Sequence, residues 1–98
     1  MIALVNRQAF ERLYDAHAER LLSFLVYQTG DRVLAEDLVA DTFERVLTSR
    51  RPFDPARGRE TTWLYAIALN LLRDHARRRA AEDRALTRVT DDVPVAMG

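Results

Sequence analysis

Three stretches of this chain carry apolar residues in steps of three and four, the period of a helix that buries one side. The first stretch reads Phe10, Leu13, Tyr14, His17, Leu21, Phe24 and Leu25. The second reads Ala35, Leu38, Val39, Thr42, Phe43, Val46 and Leu47, and the third Leu64, Ile67, Ala68, Leu71, Leu72 and His75. With 3 Gly and 3 Pro there is little turn material for an all-β fold. At 98 residues the chain has room for one domain with a thin core. The expected fold class is all-α, a compact bundle of three to four helices.

Punctuation residues set the expected boundaries. Asn6 can cap a first helix starting at Arg7, and Gly30 is a natural left-handed stop. Asp31 then caps a second helix from Arg32 to Ser49, which Pro52 and Pro55 bring to an end. Residues 51–60 hold Pro, Gly, Asp and three Arg, and read as a loop. A third helix should begin at Thr61 or Thr62 and run through the Ala-rich stretch to Val89. This gives an N-terminal tail at 1–6 and a helical domain at 7–89. Residues 90–98 read as a tail, or as the start of a linker to a second domain that is missing.

Several function classes are disfavoured. The chain has no Cys, so disulfides, thiolate catalysis and Cys-based zinc sites are excluded. His17 and His75 sit singly on apolar stripes, and no His-Glu-x-x-His spacing, Gly-rich phosphate loop or nucleophile elbow occurs. No catalytic residue, cofactor or metal ligand is expected, and the chain reads as a non-enzyme. No apolar run approaches membrane-spanning length, and Met1–Val5 lacks the basic start of a signal peptide. No membrane insertion is expected, and the cytoplasm is the default location.

Charge is distributed unevenly. Residues 1–49 carry 5 Arg against 8 acids, residues 50–79 carry 8 against 3, and residues 80–98 carry 2 against 4. A formal net charge of zero thus hides a basic segment between acidic ones. Either the asymmetry is incidental to solvated faces, or the chain meets two partners of opposite sign. All 15 basic residues are Arg, whose planar fork suits phosphates and base edges. A GC-rich genome would give the same bias.

The faces opposite the apolar stripes hold the candidate functional residues. Asp37, Asp41 and Glu44 fall at i, i+4 and i+7, a like-charged row that weakens an isolated helix by a few tenths of a kcal/mol per pair. The row is either an ordinary solvated face or one that a basic partner covers. On the third helix Ala66, Asn70, Arg73 and Arg77 share a side, with Trp63 at its border. Arg binds phosphate or guanine edges, Asn pairs with a base edge, and Ala lets a nucleic-acid backbone come close. Arg77–Arg79 would alternatively be cations near a helix C-terminus. The loop adds Phe53, Arg57 and Arg59, an aromatic beside cations that suits stacking on an unpaired base. Phe53 packing beneath the loop is the competing reading.

These residues resemble a known family. Ala35-Glu36-Asp37-Leu38-Val39-Ala40-Asp41-Thr42-Phe43 is similar to the (A/E)-E-D-L-V-Q-E-(T/A)-F segment of bacterial sigma factors. Phe53, then Thr62-Trp63-Leu64-Tyr65-Ala66-Ile67-Ala68-Leu69-Asn70, resembles the family's F…(A/T)-W-L-(Y/F)-x-I-A-x-N segment. Asp74-His75-Ala76-Arg77-Arg78-Arg79 looks like its D-x-x-R-R-x close. The match covers roughly residues 7–85 and is nearest the extracytoplasmic-function (ECF) type.

The resemblance implies a region 2 fold and two roles in transcription initiation. The second helix would dock on the β′ clamp helices of core RNA polymerase through Asp37 and Asp41, with Leu38 and Glu44 as neighbours. Ala40 stands where the family usually has Gln, so one polar contact is lost or replaced. Phe53, the loop from Asp54 to Thr62 and Asn70 would capture a flipped base of the minus-ten promoter element, read as a melted single strand. Arg57, Arg59, Arg73 and Arg77 would hold phosphates, and Ala66 would lie under the strand. Trp63 would stand at the melting edge or anchor the core. Leu64 replaces the second aromatic of housekeeping sigma factors, which fits the ECF type and weighs against strong autonomous melting. An anti-sigma factor is a further candidate partner. A helical protein-interaction module without DNA reading is the rival. A helix-turn-helix duplex reader fits less well, because the connection before the third helix is about ten residues long with two prolines.

Overall fold

The structure is a computed structural model and describes residues 7–49 and 53–92. Among these it contains three α-helices, a 3-10 turn and no strand: α1 at Arg7–Thr29, α2 at Arg32–Thr48, the turn at Pro55–Arg57 and α3 at Glu60–Asp92. The expected cap at Asn6 lies outside the described residues, as do Arg50, Arg51 and Pro52.

The α1–α2 corner forms as its residues dictate. Gly30 takes φ +69°, a left-handed value that costs a Cβ-bearing residue free energy, and its N–H donates to the Val26 carbonyl at 2.8 Å. The Thr29 hydroxyl donates to the Leu25 carbonyl at 2.7 Å. Asp31, extended at φ −140°, accepts from the Leu34 N–H at 3.1 Å, satisfying a donor at the α2 start.

The core uses the expected stripes. Leu13, Leu21 and Leu25 of α1, Ala35, Leu38, Val39, Phe43 and Val46 of α2, and Leu64 and Ala68 of α3 are buried. Buried Thr42 donates its hydroxyl to the Leu38 carbonyl at 2.7 Å, so its polar atom is satisfied inside the core. The middle helix, α2, packs against both others. Leu47, expected in the buried stripe, is 51% exposed, and Tyr14 is 46% exposed. With only three helices, nothing among the described residues covers that side of the α1–α2 pair.

The helix bounds differ in part from expectation: α2 ends at Thr48, one residue early, and both ends of α3 move. A short 3-10 turn interrupts the loop, with the Asp54 carboxylate accepting from the Ala56 N–H at 2.9 Å and Gly58, at φ 141°, closing it. The third helix starts at Glu60 and passes the expected boundary at residue 89 to reach Asp92. Its 33 residues, at 1.5 Å each, span about 50 Å. All described residues from Ala76 to Arg88 are exposed. The compact bundle is therefore confined to the first half of α3, and the radius of gyration is 18.4 Å, against about 13 Å for a compact chain of this size.

Candidate functional site

The outer side of α2 is acidic. Asp37, Asp41 and Glu44 are all exposed, while Leu38 between them in sequence is 3% exposed and belongs to the core. Leu38 is thus removed from the set of expected surface contacts: its side chain points to the interior because it shares a stripe with Ala35 and Thr42. Glu36 is engaged locally, accepting from Arg32 at 3.2 Å.

Beside this row the structure shows a feature that the stripes did not reveal. A groove of about 680 Å³ runs between α1 and α2, lined among others by Phe10, Tyr14, Phe43, Leu47, Glu36 and Glu44. Its aromatic side is ordered by ring contacts. Phe10 meets Phe43 edge-on at 6.0 Å between centroids, and Tyr14 lies 4.9 Å from Phe43. The signal was present in the aromatic spacing of Phe10, Tyr14 and Phe43, but periodicity assigns such residues to core without saying how fully they are covered.

The second face lies on α3. Thr62, Ala66, Asn70, Arg73 and Arg77 are exposed, and their steps of four, four, three and four place them on one side. Asn70 Oδ1 accepts from Arg73 Nη1 at 3.5 Å, and Arg77 pairs with the Asp74 carboxylate. Arg78 and Arg79 are exposed in the middle of a helix that continues to Asp92, so the reading of Arg77–Arg79 as cations at a helix C-terminus is overturned. Arg59 is exposed ahead of α3. The side chain of Arg57 lies outside the described set.

Phe53 and Trp63 come together, with ring centroids 5.4 Å apart at 48°, both half-buried. The loop aromatic is therefore seated on the first turn of α3, where both rings retain partial exposure next to Thr62. A further contact was not anticipated. His17 of α1, 13% exposed, donates from Nε2 to Glu60 Oε1 at 2.9 Å. Their separation of 43 in sequence explains why local patterns did not pair them.

Among the described residues no three His, Asp or Glu side chains are grouped to hold a metal, and no helix is long and apolar enough to cross a membrane. The geometry offers instead an acidic face with an apolar groove on α1–α2 and an arginine–amide face on α3. The family model for sigma-70 region 2 matches residues 13–82, which include both faces. The chain belongs to the sigma-70 region 2 family. Among similar proteins, the ECF RNA polymerase sigma factor BldN of Streptomyces coelicolor is 38% identical over 82 residues, covering 76% of this chain and 31% of that protein. The RNA polymerase sigma factor CarQ of Myxococcus xanthus is 36% identical over 88 residues, covering 90% of this chain and 50% of that protein. The ECF RNA polymerase sigma factor SigX of Bacillus subtilis is 37% identical over 71 residues, covering 72% and 36%. This region 2 chain therefore spans 31% to 50% of the length of these relatives. No solved structure matches it significantly. The far end of α3, beyond residue 82, lies outside the family match.

Proposed function

We propose that this region 2 domain, of the ECF type, docks on core RNA polymerase through α2 and reads the minus-ten promoter element as a melted strand through α3 and the preceding loop. The observation that carries this reading is the placement of opposite chemistries on the outer sides of two helices that share one core. Asp37, Asp41 and Glu44 face one way as an exposed carboxylate row, and Asn70, Arg73 and Arg77 form a separate basic and amide row.

The docking side suits a helix, and the β′ clamp helices are the partner assigned to it. A helix with a narrow apolar stripe flanked by basic residues would lay its stripe against Phe10, Tyr14, Phe43 and Leu47 and meet the carboxylates at the edge. Ala40 also lines this groove, so a small side chain opens the position where the resembled sigma-factor segment has Gln. An anti-sigma factor is a second occupant of the same side, favoured by the apolar lining, which any helix with that pattern would fill.

On the reading side, extruding a base costs a few kcal/mol in lost stacking. Phe53 and Trp63 supply ring faces for recovering part of it, Asn70 supplies donor and acceptor atoms, and Arg59, Arg73 and Arg77 supply phosphate contacts. Thr62 and Ala66 leave the approach unobstructed.

The test is binding of the chain to three oligonucleotides: single-stranded minus-ten DNA, a scrambled strand and the duplex. The expected result is weak binding that favours the minus-ten strand and falls steeply as salt rises. Equal binding to all three would remove the base-capture reading. Asp41→Arg is expected to abolish co-purification with core polymerase while helical circular dichroism is unchanged.

A further inference from the structure

We infer that His17, on α1, is a positioning residue that sets where the reading helix begins. This deepens the promoter-reading function proposed above and rests on it.

The first turn of α3 lacks a side-chain cap of its own. The Arg59 carbonyl accepts the first helical hydrogen bond, from the Trp63 N–H at 3.1 Å, which makes Arg59 the N-cap. A guanidinium has no acceptor, so Arg59 cannot cap the first-turn N–H groups with its side chain as Asp31 does for α2. Helix starts without a capping side chain fray readily. Here the fixing group comes from another element. Glu60, the first residue of α3, accepts at Oε1 from His17 Nε2 at 2.9 Å. A carboxylate only accepts, so Nε2 must carry a hydrogen, a condition met by the neutral Nε2–H tautomer and by the imidazolium alike.

The bond does not act in isolation. Leu21 and Phe24 lie on the same side of α1 as His17. Leu21 is fully buried, and the Phe24 ring sits 5.1 Å from that of Tyr65. One polar and one aromatic contact thus hold the first two turns of α3 against α1. Those turns carry Thr62 and Trp63, and Trp63 in turn seats Phe53 of the loop. His17 therefore sets the first turn of α3 and, through it, the pocket proposed for the flipped base. It acts through Glu60 and touches no nucleotide itself.

Three variants separate this role from simple loss of packing. His17→Phe keeps a ring and removes the donor, His17→Gln keeps a donor near the same place, and Glu60→Ala removes the acceptor at a partly exposed position. Two quantities are read on the full chain: hydrogen-exchange protection of the Trp63 and Leu64 amides, and the ratio of binding to minus-ten and scrambled single strands. His17→Phe and Glu60→Ala are each expected to lower both quantities about three- to tenfold, with His17→Gln near the parent. Exchange at α2 amides should not change. Unchanged protection at Trp63 and Leu64 in His17→Phe and Glu60→Ala would overturn the inference, and so would a fall in protection with an unaltered strand ratio. A parent chain with no strand preference would remove the functional reading, and this role with it, while exchange would still report the bond.

Discussion

Leu38 and Asp37 adjoin in sequence and differ completely in exposure, which makes them a sharp test at the residue scale. Leu38, at 3% exposure, packs in the core between α1 and α3, so Leu38→Ala leaves a cavity. The expected cost is about 2–5 kcal/mol, read as a fall in the urea midpoint. Asp37→Ala removes an exposed charge repelled by Asp41 one turn away, and stability should change by less than about 0.5 kcal/mol, if anything upward. Gly30→Ala should cost about 1 kcal/mol, because φ +69° is strained for any residue with a Cβ although nothing crowds the position. The core residues of α2 were readable one by one: Ala35, Leu38, Val39, Thr42, Phe43 and Val46 all take the burial that their spacing assigns. Leu47 did not, because spacing gives direction but not the presence of a covering neighbour. The pairing of Phe53 with Trp63 was likewise open, since ring contact across a loop depends on the path of the chain between them.

At the scale of elements, the helix ends show where local chemistry suffices. The α1–α2 corner follows from Gly30 and Asp31, whose preferences are intrinsic to one residue each. Asp31→Ala should cost about 1 kcal/mol through loss of the cap to Leu34, measured by chemical denaturation. The start of α3 followed no such rule. Thr61 or Thr62 was the expected start, yet the helix opens at Glu60, whose partner His17 lies on α1. Nor did the sequence contain a stop after Arg79, since the Ala-rich stretch favours continuation and no Gly or Pro intervenes before Pro94. Because every described residue from Ala76 to Arg88 is exposed, truncation after residue 82 should leave the melting temperature of the bundle within a few degrees. The mean helical signal should fall in proportion to the residues removed, as measured by circular dichroism. A drop of more than about 10 °C would show that this half of α3 contributes to the core.

At the scale of the whole molecule, the two faces are separate surfaces on one scaffold, and substitutions should separate their functions. Asp41→Arg is expected to lose polymerase without losing minus-ten strand binding. Arg73→Ala is expected to keep polymerase and weaken strand binding, reducing the slope of log affinity against log salt by about 0.7, the value for one phosphate contact on a single strand. Asn70→Ala should change strand preference and leave that slope intact, because an amide displaces no counterion. Titration of fluorescein-labelled strands at four salt concentrations reads strand binding in all three, and co-purification with core polymerase reads docking.

Half of the buried apolar residues among those described come from α2, the helix whose other side carries the carboxylate row. A protein that grips that row therefore also holds the centre of a thin core. By mass action, a partner present at a hundred times its dissociation constant adds about 2.7 kcal/mol to the stability of the folded chain. For a small domain this is a sizeable fraction of the total. The unbound chain opens more often and is correspondingly easier for proteases to cut, so its lifetime would follow how much of it is occupied at any moment.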